Sequence, residues 1–365
     1  MTKVLVVDDS ALVRKLFGRV LESQAEFEVE FARNGIEALE RLESFRPDVI
    51  TLDIHMPEMD GLACLDRIMI ERPCPVVMVS SLTAEGAETT LEALRLGAVD
   101  FVAKPEGPVS LHMEVFAPQL VAKIRSAAAA KIKASSRLRE RVQHRLGRTA
   151  APRRWRTSPQ GAEVRAEGPG IVLVGTSTGG PPALESLLTP LPHTFPWPIV
   201  IAQHMPISFT GPLARRLDRI CRLSVAEVTR ATVLEPGCAY IGRGDGDIVV
   251  SHKRGDFLAA PAAAEDYPWH PSVERLVYSA IDALDPAQLI GVLMTGMGND
   301  GAGAMTRLRA LGGRTIAEAE DTAIVWGMPG ELARADGADW ILPVHRIAET
   351  LQQLVPLHAA DKKKT

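Results

Sequence analysis

Apolar positions in the first hundred residues follow two rhythms. Val4–Val7, Phe27–Ala32, Val49–Leu52, Pro75–Ser80 and Val99–Ala103 are short, largely β-branched runs, the pattern of strands buried on both faces. Between them apolar residues recur at helical spacing. Leu12, Val13, Leu16, Phe17, Val20 and Leu21 follow Ser10, a capping residue; Ile36, Leu39 and Leu42 follow Asn34; a further amphipathic segment lies near 84–96. Five strand–helix units predict an α/β fold with a five-stranded parallel, doubly wound sheet over residues 1–108. Met113, Phe116, Leu120 and Ile124 then keep near-helical spacing, after which charge from Lys123 to Arg165 is overwhelmingly basic, with Pro, Gly and Ser interspersed. Residues 109–168 are therefore expected to be a helical, then flexible linker. Strand-like runs return at Ile171–Val174, Ile199–Gln203 and Leu289–Met294, with a helix from about Ala302 to Leu311. They predict a second, Rossmann-like α/β domain over 169–355, followed by a disordered tail, 356–365.

Composition changes little in this picture. The chain has 365 residues, enough for two domains with separate cores. Its formal net charge is −4, so no global charge favours nucleic acid or membrane. No leader is evident before Lys3-Val4-Leu5, and no apolar run reaches transmembrane length. Cys64, Cys74, Cys221 and Cys238 form no close pair, which fits reduced thiols in a cytoplasmic protein.

The polar residues that end the strands carry the chemistry. Asp8 and Asp9 follow the first strand and Asp53 ends the third. In a 2-1-3-4-5 sheet, the flavodoxin-like order, these strands are neighbours at the switch point where ligands bind. Three carboxylates there repel one another unless a cation joins them, and all-oxygen ligands favour Mg²⁺. Ser80 and Lys104 end strands four and five and reach the same pocket. A carboxylate with a metal, a hydroxyl and an ammonium around it is a phosphoryl-accepting site. The pieces Val7-Asp8-Asp9-Ser10, Leu52-Asp53-Ile54-His55-Met56-Pro57, Val79-Ser80-Ser81 and Phe101-Val102-Ala103-Lys104-Pro105 resemble the response-regulator receiver domain of two-component systems. The resemblance implies phosphorylation of Asp53 by a sensor histidine kinase and Mg²⁺ held by Asp8, Asp9 and Asp53. It also implies phosphoryl contacts from Ser80 and Lys104, a switch role for Phe101 and a cis peptide before Pro105. His55 departs from the acidic residue often found there, and its side chain is expected to alter phosphorylation or dephosphorylation rates.

In the second domain, Gly175-Thr176-Ser177-Thr178-Gly179 follows a strand and precedes a helix, matching a nucleophile elbow; a glycine-rich phosphate loop would look similar. His204 and Asp300 each follow a strand as well. Carboxyl ends of parallel strands share one rim, so Ser177, His204 and Asp300 can converge as nucleophile, base and orienting acid. The order serine, histidine, acid differs from that of an α/β-hydrolase. Backbone N–H groups of Thr178 and Met297 are oxyanion-hole candidates. His193, His252 and His270 are expected to be structural, and Asp245 and Asp247 to form a hairpin turn.

Gly175-Thr176-Ser177-Thr178-Gly179-Gly180, Gln203-His204-Met205-Pro206 and Thr295-Gly296-Met297-Gly298-Asn299-Asp300-Gly301 together resemble the chemotaxis protein-glutamate methylesterases. That resemblance implies a Ser177–His204–Asp300 triad, no cofactor for the esterase reaction, and a phosphorylation-activated hydrolase. The substrates it implies are glutamyl methyl esters, and receptor glutamines, on methylated chemoreceptors. Two rival readings fit the sequence less well. A receiver-controlled DNA-binding regulator lacks a helix-turn-helix or basic recognition helix. A nucleotide-binding module at residues 175–180 lacks the Walker lysine and the dinucleotide spacing.

Overall fold

The computed structural model describes residues 1–81, 83–104, 113–130 and 168–355. The chain forms two compact units, Met1–Arg153 and Arg154–Thr365. The expected flexible stretch of the linker, the tail and Pro105 lie outside the described residues.

The first unit runs β1 (Thr2–Val7), α1 (Ala11–Glu22), β2 (Phe27–Ala32), α2 (Gly35–Ser44), β3 (Val49–Asp53), α3 (Gly61–Glu71), β4 (Val76–Ser80), α4 (Ala84–Leu96), β5 (Asp100–Ala103) and α5 (Met113–Ala128). The strands form one parallel sheet in the order β2-β1-β3-β4-β5. Ser10 and Asn34 cap α1 and α2 through their side chains, each satisfying an N–H that the first helical turn leaves unpaired. The predicted apolar face of α1 is buried at Leu16, Phe17, Val20 and Leu21, whereas Leu12 in the first turn is 63% exposed.

The helix expected at the head of the linker is α5, and it belongs to this unit. Phe116, Leu120, Val121, Ile124 and Ala127 are buried, and the Phe116 ring lies 5.5 Å from that of Phe17 on α1. Its apolar stripe completes the fifth strand–helix unit.

The second unit runs β6 (Ile171–Thr176), α6 (Gly180–Leu188), β7 (Ile199–Gln203), α7 (Ile207–Ile220), β8 (Ser224–Val228), β9 (Thr232–Val233), β10 (Cys238–Gly242), β11 (Asp247–Lys253), β12 (Asp256–Ala262), α8 (Val273–Ala283), β13 (Leu289–Leu293), α9 (Ala302–Ala310), β14 (Arg314–Glu318), α10 (Met328–Arg334), β15 (Trp340–Leu342) and α11 (Val344–Leu354). Its main sheet is parallel, in the order β15-β14-β13-β6-β7-β10-β8. The strand order reverses beside β6, so β13, β6 and β7 flank the switch point. Every residue of these three strands is buried, which is why they read as unbroken apolar runs.

A small antiparallel sheet, β11-β12-β9, holds the hairpin, and its turn is Arg254-Gly255, both at positive φ. The hairpin turn expected around Asp245 and Asp247 is not one. Gly242 ends a strand of the parallel sheet and Asp247 begins β11 of the other sheet, so the segment links two sheets whose strands do not pair there.

Candidate active site and phosphoacceptor site

Ser177, His204 and Asp300 follow β6, β7 and β13, three adjacent strands, and the backbone fixes the first two closely. Ser177 N–H donates to Thr295 O at 2.9 Å, and His204 N–H donates to Thr176 O at 3.1 Å. The next residue after Ser177 on the turn toward α6 leads into Gly179, at φ +76°, where the chain bends into the helix. Gly296 must lack a side chain because a Cβ there would come within 2.8 Å of Ser177 Cβ. Behind the turn, Thr295 N–H donates to Glu318 Oε2 at 2.8 Å and Thr295 Oγ1 donates to Thr178 O at 2.9 Å.

His204 Nε2 lies 2.7 Å from Asp300 Oδ2. An ionised carboxylate only accepts, so Nε2 carries the proton and Nδ1 keeps its lone pair. Nδ1 is buried with no hydrogen-bond partner among the described residues, Ser177 Oγ included. The serine–imidazole hydrogen bond is thus not formed here, as is common in substrate-free hydrolases, where such bonds tighten in the complex. The Trp269 ring lies parallel to the imidazole, 5.9 Å between centroids and 6° apart.

Asp300 is 4% exposed and is held by the start of α8. Val273 N–H donates to Oδ2 at 2.7 Å, Glu274 N–H to Oδ1 at 3.0 Å and Ser272 Oγ to Oδ1 at 3.1 Å. Amides left unpaired at a helix N-terminus suit a carboxylate. Burial pushes the Asp300 carboxyl up; the His204 hydrogen bond and charge and the Glu274 and Val273 amides outweigh it, leaving it below its ordinary 3.8. Glu274 reciprocates by accepting from Gly303 N–H at 2.8 Å and Ala304 N–H at 2.9 Å at the start of α9.

A carboxyl held below its unfolded value adds stability that is full above that value and lost as pH falls through the folded one. The stability gap between wild type and Asp300→Asn is therefore expected to shrink as pH drops below 3.8. Urea unfolding across the acid range checks this; a gap that stays constant with pH contradicts it.

Ser272, Val273, Glu274 and Trp269 escaped the sequence reading. Ser272 before an apolar-periodic segment signals a helix start, but nothing in the sequence aims that helix at Asp300. Asp247 supports the same segment, accepting from Ser272 N–H at 2.7 Å and Arg275 Nη1 at 2.8 Å, and His270 Nδ1 lies 2.9 Å from it. The exposed His252 packs its ring against Phe257, 5.1 Å between centroids. Thr178 is buried and Met297 half-buried on loops flanking Ser177.

In the receiver unit, one carboxylate oxygen each from Asp8, Asp9 and Asp53 lie within 4.8 Å of one another. Lys104 Nζ is 2.8 Å from Asp53 Oδ2 and 3.0 Å from Asp8 Oδ2. Asp8 and Asp53 are both buried, and carboxylates this close are stable together only beside positive charge. These acids fit a divalent metal. Burial raises the Asp53 carboxyl, partly offset by the Lys104 hydrogen bond. Burial lowers the Lys104 ammonium, but Asp53 and Asp8 outweigh it and hold its proton more firmly than usual. Ser80 Oγ donates to Ser81 O and Gly86 O, both at 3.2 Å, and makes no bond to Asp53 or Lys104. Phe101 is buried, with Lys123 Nζ 5.2 Å from its ring centroid, and His55 is exposed.

The family model described as CheB methylesterase matches residues 172–351, and that of the response regulator receiver domain matches residues 4–116. A protein-glutamate methylesterase/protein-glutamine glutaminase of Rhodopseudomonas palustris is 55% identical over 99% of this chain and 100% of its own length. The chain belongs to the CheB methylesterase family. Another protein-glutamate methylesterase/protein-glutamine glutaminase, from Rhodospirillum rubrum, is 53% identical over 96% of this chain and 95% of its own. The crystal structure of the Thermotoga maritima CheB methylesterase catalytic domain is 35% identical, with TM-score 0.50, covering 52% of this chain and all of that one. Membership in this family makes the chain a hydrolase with an N-terminal receiver, and the DNA-binding and nucleotide-binding readings are set aside. No described helix is long and apolar enough to cross a membrane.

Proposed function

We propose that this chain is a phosphorylation-activated protein-glutamate methylesterase that hydrolyses γ-glutamyl methyl esters, and deamidates glutamines, on cytoplasmic segments of chemoreceptors. The observation that carries the reading is the 2.7 Å His204–Asp300 pair on the rim beside Ser177. Ser177 Oγ adds to the ester carbonyl carbon while its proton passes to His204 Nδ1. The resulting oxyanion is met by backbone N–H groups of Thr178 and Met297. Collapse breaks the bond to the methoxy oxygen, which takes the proton and leaves as methanol. Water, deprotonated by His204, then adds to the acyl-serine, releasing the glutamate carboxylate and restoring Ser177. With a glutamine the leaving group is ammonia. Asp300 holds the imidazole tautomer and stabilises the imidazolium.

The same reading makes Asp53 the acceptor of a phosphoryl group from a sensor histidine kinase. Asp8, Asp9 and Asp53 would hold Mg²⁺, which when bound offsets negative charge around the phosphoryl oxygens. Lys104 and Ser80 would contact that group, Ser80 after turning from Gly86, and Phe101 would report the change. It places the protein in the cytoplasm and gives the hydrolase domain residues 169–355. The test is methanol release from methylated receptor with and without phosphodonor. Asp53→Asn is expected to keep basal activity and lose the response to phosphodonor. A normal response in that variant would move the switch elsewhere.

A further inference from the structure

Gln203 ends β7 opposite Thr176, the last pair in the register joining β6 to β7. One step beyond that pair, each strand delivers one residue of the proposed catalytic couple, Ser177 and His204. There His204 N–H still donates to Thr176 O at 3.1 Å, but among the described residues no backbone hydrogen bond joins Ser177 to His204 directly.

The Gln203 side chain takes over at that point. It is 1% exposed, and Nε2 donates to Ser177 O and to His204 O, each at 3.0 Å. A primary amide has two N–H groups, and here each has its own carbonyl. The cost lies at the other end of the amide. Oε1 is buried with no hydrogen-bond partner and faces Gly180, where a Cβ would collide with it. A buried acceptor left unmatched is unfavourable, and an apolar side chain of similar length would avoid it. What the amide supplies and an apolar side chain cannot is a fixed spacing between two carbonyls.

We propose that Gln203 is a positioning residue whose amide clamps the backbones of Ser177 and His204, setting the approach of hydroxyl to imidazole. The proposal rests on the reading of those two residues as nucleophile and base, and it adds a determinant of their geometry. Gly180 is part of the device, since only a residue without a side chain leaves room for Oε1.

Three variants of the full-length protein test it by methanol release from methylated receptor. Gln203→Met keeps the length and removes both donors; its kcat is expected to fall about 10- to 100-fold, the scale of a ~1 Å misplacement, with KM little changed. Gln203→Glu keeps the shape, and its carboxyl has a donor only while protonated. Between two carbonyls and buried, it holds that proton well above the usual carboxylate range. Its kcat should therefore fall as pH rises through its ionisation, a limb that wild type lacks. Gly180→Ala displaces the amide from the other side, so it should lower kcat on its own.

Ser177→Ala in the same assay separates the two levels of the reading. Retained activity there would refute the catalytic pair itself. An inactive Ser177→Ala variant, together with Gln203→Glu showing the wild-type kcat and pH profile, would overturn the clamp. So would a Gln203→Met defect confined to KM.

Discussion

Ser177→Ala is expected to lower kcat for methanol release by about 10⁶-fold, the scale seen when a serine nucleophile is removed from a triad enzyme. The argument rests on what else the turn offers. Thr176 is fully buried and its hydroxyl donates to Thr295 O at 3.1 Å, so it faces the core rather than the rim. Thr178 is 5% exposed. Neither neighbour can stand in for the missing oxygen. The fold should not suffer, because the contacts that fix this residue are made by its backbone. Its N–H donates to Thr295 O, and its carbonyl accepts from Gly180 N–H at 2.8 Å and from Gln203 Nε2. All of these survive in alanine, so unfolding free energy is expected to stay within about 0.5 kcal/mol of wild type. KM should also stay near wild type, because the groups that bind the ester are untouched. Methanol release and urea unfolding measured on the same preparation check both halves. Substantial remaining turnover in a folded variant would move the nucleophile to another side chain.

How much of this was legible in the sequence depends on whether a feature is local. The strand ends were readable because apolar runs stop at polar residues: Val7 gives way to Asp8, Gln203 to His204, and Met294 to the glycine-rich Thr295–Gly301 loop. Parallel topology then places those ends on one rim, which is why residues far apart in sequence could be grouped in advance. The cradle of Asp300 was not readable. It depends on α8 arriving with its first amides aimed at a loop 27 residues downstream, a matter of helix–helix packing that no local pattern encodes. Asp247 was misread for the same reason. Its glycine-rich surroundings look like a turn, but its burial and its bonds to Ser272 and Arg275 come from the packing of β11 under the α8 entrance. The helix α5 was readable from the spacing of Phe116, Leu120 and Ile124, but its packing against α1 through Phe116 and Phe17 was not, because that contact joins segments about a hundred residues apart.

Asp300→Asn is expected to lower kcat by about 10⁴-fold with KM little changed, because an amide cannot present two acceptor oxygens to four donors. Oδ2 faces His204 Nε2 and Val273 N–H, and Oδ1 faces Ser272 Oγ and Glu274 N–H. If the amide nitrogen takes the Oδ2 place, it donates to Nε2, and the imidazole must shift its proton to Nδ1. That nitrogen is the one left to accept from Ser177, so the base is disabled while the geometry survives. If the nitrogen takes the Oδ1 place, it opposes the Glu274 amide at the positive end of α8, leaving a buried donor unmatched. Either orientation also removes the negative charge that stabilises the imidazolium as the serine proton arrives. Each orientation sets the amide nitrogen against a backbone N–H at the start of α8, Val273 in the first and Glu274 in the second, and costs about 1–3 kcal/mol of unfolding free energy near neutral pH. Both are slow enzymes, and a variant that turns over within tenfold of wild type would mean that Asp300 serves only to seat the start of α8.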